Sequence, residues 1–391
     1  MLDVRNAHTT NADEISEAVK ELLAQLDIPT LKSYTAGILF AHEDYLKTGV
    51  VSAVCAKLPF DVIGAPVIKN ETEKFSGNVA LTMTVLTSDD VFLSAGLTGP
   101  LSPPDANPIK EAVAKAKSAF PAGARVKMAF DIAPTAPHLN MHGNFFVNAF
   151  TEALRGKPHF GLFSGTSYPD TENRVIFNGE LYSDRAAFIL IGGNIEPKFI
   201  ISELPRRRFL HFKGVITDSL GTEVTSVDHI PANKWLYSIG FLRSPEIRDQ
   251  MLTLTARPFI IDAEDGTMPI LGQLVAVADG RAIFGVDVPR GAAIYVAEIM
   301  TEQILTQAAV NAARQAAEFK PSLCLAMLCI GRYLIFDSML TEFDEIRRVF
   351  KQAGDIPFHI TTADGEFAPV PKDDGTEVNK HHNYTLAICA L

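Results

Sequence analysis

A short pattern recurs in this chain and ties its two ends together. Leu58-Pro59-Phe60 returns as Ile356-Pro357-Phe358, and in both places an apolar run and a helical stretch come before it. A strand, a loop and a second strand follow each copy, so that 78–86 corresponds to 383–391. A looser third copy opens at Lys157-Pro158-His159-Phe160 and ends in 186–192. A pattern that returns in this way marks one supersecondary unit used more than once. The expected class is therefore mixed α/β with an internal pseudo-repeat: two mainly β sheets stacked face to face and flanked by helices, in α-β-β-α layers.

Local signals fill in the elements. Asn11 with Glu14 three residues on has the layout of a capping box, and Ile15, Val19, Leu22, Leu23 and Leu26 then recur at helical spacing. A buried strand over 36–41 precedes a second amphipathic stretch through Tyr45, Leu46, Val50, Val54 and Leu58. Asn107 and Pro108 open a helix through 119, and further helices are predicted over 144–155, 245–252 and 301–319. Asn178-Gly179 and Asp279-Gly280 sit between short strand-like runs, the sequence signal of a tight hairpin.

Composition narrows the function classes. Lys and Arg number 35 against 46 Asp and Glu, a formal net charge of −11, which argues against a nucleic-acid-binding surface. Pro205-Arg206-Arg207-Arg208 is the one concentrated basic run and reads as a solvated strand edge. No apolar run is long enough to cross a bilayer, and residues 1–11 hold no apolar signal core, so no membrane insertion and a cytoplasmic location are expected. Cys55, Cys324, Cys329 and Cys389 form no C-x-x-C pair and read as buried, reduced thiols.

The cofactor motifs are missing. Neither G-x-G-x-x-G nor G-x-x-x-x-G-K-[ST] occurs, and Phe163-Ser164-Gly165 lacks the glycine two residues before the serine that a hydrolase elbow requires. His138 and His142 lie four apart, but Pro134 and Pro137 argue against the helix that would bring both to one face. His381 and His382 are neighbours that point apart in an extended chain. No metal and no cofactor are expected.

The C-terminal block carries the chemistry. An apolar strand, 325–329, runs into Gly331-Arg332, so that a guanidinium stands where a buried strand ends and needs a partner. Asp364-Gly365-Glu366 follows the next strand, and Asn383-Tyr384-Thr385 opens the last. If these strands are neighbours, Arg332, Glu366 and Asn383 converge at one end of a sheet, with Cys329 and Thr385 behind them. Arg offers a planar fork to a carboxylate and Glu accepts an ammonium. The competing reading is a structural Arg332–Glu366 ion pair.

These motifs resemble the C-terminal signature of FIST proteins: Cys329-Ile-Gly-Arg332, a helix with Glu342, Asp364-Gly-Glu366 and His382-Asn-Tyr-Thr385, in that order. The strand at Phe40, the turn at 58–64 and Val175-Ile-Phe-Asn-Gly179 are similar to the family's N-terminal domain. The family's Gly-x-x-x-Gly-Glu turn is here Thr362-Ala-Asp-Gly-Glu366. The resemblance implies an N-terminal domain over 1–228, a C-terminal domain over 229–391, and a sensory module for small ligands such as amino acids. Its output would pass through a separate signalling partner.

The ligand-binding set expected from both lines is Arg332, Glu366, Asn383, Cys329, Gly365 and Thr385, with a ligand carboxylate on Arg332 and its ammonium on Glu366. Two other classes stay open: an enzyme using Cys329 or Glu366 in the same cleft, and a protein-interaction scaffold.

Overall fold

The computed structural model describes residues 2–135, 143–165, 173–202, 209–252, 257–332 and 340–391. His138, His142 and the basic run 205–208 lie outside the described residues. The class is mixed α/β, and the described residues form four mainly β sheets, where the sequence led us to expect two.

The first block contains β1 (Asp3–Thr9), α1 (Ile15–Leu26), β2 (Tyr34–Ala41), α2 (Glu43–Lys47), α3 (Val50–Cys55), β3 (Asp61–Pro66), β4 (Asn70–Thr72) and β5 (Leu81–Ser88). Asn11 accepts the Glu14 amide just ahead of α1, whose buried Ala18, Leu22 and Leu26 are spaced one turn apart. The stretch through Tyr45 and Leu58 breaks into α2 and α3 instead of running on as one helix. Gly49 between them has φ +83, a conformation that ends a helix and suits glycine.

A second block follows with β6 (Val91–Leu97), α4 (Asn107–Lys117), β7 (Val126–Pro134), α5 (Gly143–Ala153), β8 (His159–Ser164), β9 (Val175–Phe177), β10 (Glu180–Tyr182) and β11 (Ala187–Gly193). After β12 (Lys198–Ile201) comes a separate sheet. It is made of β13 (Phe209–Leu220), β14 (Glu223–Val227), β15 (Ile230–Pro231), β16 (Gln250–Met251), β17 (Phe259–Asp262), β18 (Ile270–Gly272), β19 (Leu274–Ala278), β20 (Arg281–Phe284) and β21 (Ala293–Ala297), with α6 (Ala232–Ser238) against it. This sheet has its own core around Trp235, Phe259 and Phe284. The helix expected over 245–252 is not formed. Gln250 and Met251 pair with Val277 and Ala276, and that tertiary pairing prevails over a helical pattern too short to stand alone. A division at 228/229 would separate Val227 from Ile230, which are paired in this sheet.

The third block holds α7 (Glu302–Glu318), β22 (Cys324–Cys329), α8 (Leu340–Gln352), β23 (Phe358–Ala363), β24 (Glu366–Pro371), β25 (Glu377–His382) and β26 (Leu386–Ala390). Strand pairing is the same in all three blocks. β2 lies parallel to β3 and antiparallel to β5; β7 lies so between β8 and β11, and β22 between β23 and β26. Helices make each parallel crossover, as parallel neighbours require.

The outer edge of each second parallel strand is covered by a strand from another block. β9 pairs with β3, β24 with β8, and β4 with β23. One apolar core joins the three sheets through Phe40, Ile63, Phe130, Leu162, Leu325 and Met327. The helices cover opposite faces: α1 and α3 on the first sheet, α4 and α5 on the second, α7 and α8 on the third. Among the described residues no helix is long and apolar enough to cross a membrane.

Close strand contact makes one glycine indispensable. A Cβ at Gly161 would stand 1.7 Å from the Asp131 carbonyl oxygen on the neighbouring strand. Gly161→Ala should therefore cost about 3 kcal/mol, the upper range for overpacking a filled interior. Urea unfolding that leaves the variant as stable as the parent would contradict this packing.

Candidate functional site

The site lies where β22 and β23 end and β24 and β26 begin. Cys329 closes β22, Arg332 lies on the helical residues after it, Glu366 opens β24, and Asn383 to Thr385 lead into β26. All of these side chains are buried. Thr385 donates to Glu366 Oε2 at 2.8 Å, and Asn383 Nδ2 lies 3.9 Å from the Cys329 sulfur. The structure thus brings five of the six expected side-chain positions together, as a buried cluster instead of the lining of an open cleft.

Arg332 differs most from expectation. Its Nη2 donates to Glu342 Oε1 at 2.8 Å and to the Leu305 carbonyl at 3.1 Å, tying the end of β22 to α8 and α7. The residue is 2% exposed, and among the described residues its ion-pair partner is Glu342 and not Glu366. The Asn383 side chain accepts the Gln273 amide at 3.2 Å and so fastens the separate sheet to this corner. Gly365 serves the turn: its φ is +148, and a Cβ there would sit 2.5 Å from His381 Nε2.

Sequence reasoning placed Asp364, Tyr384 and His382 within its motifs but gave them no role in the site. Tyr384 is buried at φ +62, a conformation that non-glycine residues seldom adopt, and its hydroxyl has no partner among the described residues. His382 faces Glu366 across the β24–β25 pair, while His381 packs against Phe163 and Phe367. The alternation of the two histidines was readable from the strand period; which of them meets the acid was not, because that depends on register.

Burial sets the electrostatics. It pushes the Glu366 carboxyl well above the usual range, against the pull of the Thr385 hydroxyl and of Arg332. Asp364 rises to about 6 by burial, with the Thr135 hydroxyl drawing it back. Burial, reinforced by Glu366, raises the Cys329 thiol well above its ordinary value, and burial lowers His382 to about 4. At neutral pH Cys329 is therefore a thiol and His382 a neutral imidazole. His382 Nε2 donates to the Ala368 carbonyl at 3.2 Å, leaving Nδ1 a lone pair with no partner among the described residues. Among the described residues Glu366 Oε1, Arg332 Nε and Arg332 Nη1 also have no hydrogen-bond partner.

A cavity of about 500 Å³ opens beside this cluster. Thr385 and His382 form part of its wall, together with Asp262, Glu264, Asp373 and Lys372. Of the six expected binding residues, Thr385 is the one that lines it. The loop after β17 closes one side, where Lys380 contacts Thr267 and lies 3.6 Å from Asp265. Among the described residues no group of three or more His, Cys, Asp or Glu side chains is arranged to hold a metal ion.

No known family profile and no curated protein matches this chain. Two solved structures show a distant likeness. A cyanuric acid hydrolase from A. caulinodans has 8% identity and a TM-score of 0.33, covering 100% of this chain and 98% of that one. PurLQS from Thermotoga maritima has 9% identity and a TM-score of 0.20, covering 99% of this chain and 71% of that one. At these scores neither likeness bears on the fold or the chemistry.

Breaking the Arg332–Glu342 pair from one side should cost about 3–5 kcal/mol, because it strands a buried charge. Arg332→Ala and Glu342→Ala combined should cost little more than either alone; additive losses in urea unfolding would contradict the pairing.

Asp364 gives a pH signature. Its pKa rises on folding from 3.8 to about 6, so its protonated form favours the folded state below pH 3.8. That advantage fades as pH rises through about 6 and amounts to about 3 kcal/mol. Asp364→Asn should stabilise the protein relative to the parent at pH 7 and not at pH 4. Melting curves with the same difference at both pH values would contradict the assignment.

Proposed function

We propose that this protein is a sensing module for a small ligand carrying a protonated amine, an amino acid being the class that fits best. The supporting observation is the chemistry of the cavity wall. Three carboxylates, Asp262, Glu264 and Asp373, and the hydroxyl-bearing Thr385 line it, while Lys372 offers one cationic group to a carboxylate. A wall rich in acceptors suits a donor-rich head, and about 500 Å³ is within the ordinary range for small-ligand sites. In this reading the ammonium lies toward Thr385, with Glu366 behind it, and Lys372 takes the anchoring role first given to Arg332.

The same reading treats the chain as FIST-like and the three identical strand arrangements as an internal repeat. The shared order β5-β2-β3, β11-β7-β8 and β26-β22-β23 supports the repeat, and the helix-covered outer faces support a layered α-β-β-α packing. Four free, buried cysteines suit a reducing, cytoplasmic setting. The response would pass to a separate partner protein.

Titration calorimetry against the standard amino acids tests this reading. Binding should appear for at least one of them, and Thr385→Val should weaken it by about 2 kcal/mol, the scale of a hydrogen bond to a charged group. Failure of every amino acid and simple amine to bind would contradict the proposal.

An enzyme acting through Cys329, one of the two residues open to that reading beside Glu366, needs a reactive thiolate there, yet the thiol is 2% exposed and its ionisation is suppressed. Iodoacetamide should modify Cys329 only after unfolding. Rapid labelling of the native protein would favour the enzyme instead.

A further inference from the structure

A second cavity, of about 430 Å³, lies in the second block, away from the cluster just described. α4 and α5 end beside it, and β7 begins there. Lys110, Lys117, Arg125, Arg155 and Lys157 line it, against a single carboxylate, Glu152. Such a concentration stands out in a chain of net charge −11.

Several exposed cations elsewhere on this protein are paired. Lys20 meets Glu17, Lys127 meets Glu196, Arg248 meets Asp279 and Arg348 meets Glu345. Of the cavity cations, Lys110 pairs with Glu152 at 2.8 Å, and Lys157 acts at longer range on Glu196. Lys117, Arg125 and Arg155 form no ion pair among the described residues.

Two helix C-termini offer the ordinary explanation, since basic residues there offset the macrodipole. Each terminus is worth about half a negative charge, which the cations exceed by several-fold. Arg125 and Lys157 also lie outside both helices. The floor is apolar, built of the buried side chains Val113, Val126 and Leu154.

We infer that this cavity binds a small polyanion with a flat apolar body, of the nucleoside-phosphate class. The phosphates meet Lys117, Arg125 and Arg155, and the ring rests on Val113, Val126 and Leu154. Charge supplies the attraction, and the floor distinguishes such a ligand from inorganic phosphate.

Titration of the full chain with ADP, pyrophosphate and adenosine at low salt tests the assignment. ADP should bind with a dissociation constant below about 1 mM and more tightly than either fragment. Arg125→Gln with Arg155→Gln, both at exposed positions, should weaken ADP at least about tenfold while leaving the melting temperature unchanged. No measurable ADP binding, equal affinity for ADP and pyrophosphate, or an unaltered affinity in the double variant would overturn it.

Discussion

A parallel strand pair with one antiparallel neighbour leaves the outer edge of its second strand without hydrogen-bond partners, and a buried edge of that kind is costly. This protein solves the problem three times by exchange. β3 of the first block takes β9 of the second, β8 of the second takes β24 of the third, and β23 of the third takes β4 of the first. The exchanges close a ring, so no block completes its sheet alone. Side chains reinforce the closure: the buried His359 of β23 lies 2.7 and 2.8 Å from the hydroxyls of Thr82 and Thr84 on β5. Burial lowers that imidazole to about 3, which keeps it neutral and able to donate from one nitrogen while accepting at the other.

The candidate site is a product of the same ring. Because β24 pairs with β8, Glu366 is placed opposite Leu162, and the Asp364 carboxyl is brought against Gly165 and Thr135 of another block. Carboxyls held there are out of reach of water, and burial drives their protonation upward. Thr385 links this interior to the cavity, since the residue that holds Glu366 is also part of the cavity wall.

Much of this was legible in the sequence, for reasons that differ by element. The proline-aromatic pattern marked the start of the second parallel strand in all three blocks, and both Asn178-Gly179 and Asp279-Gly280 make their turns at positive φ. The convergence of Cys329, Arg332, Glu366, Asn383 and Thr385 followed from strand ends within one block. What could not be read was partner choice. Glu342 and Glu366 are both acids near the same strand end, and only the packing of α8 decides that Arg332 takes the former. The exchanged strands were equally hidden, because a short run such as Asn70–Thr72 carries no record of which edge it will join.

In the proposed site a protonated amine rests beside Thr385, with the raised carboxyls behind it. A cation brought there would lower the pKa of Asp364 and Glu366 and so expel protons. Calorimetric titration of the amino acid found to bind, at pH 6 in buffers of different ionisation enthalpy, measures that exchange directly. Release of a substantial fraction of a proton per ligand bound is expected; binding with no proton release, or with uptake, would contradict an amine at this position.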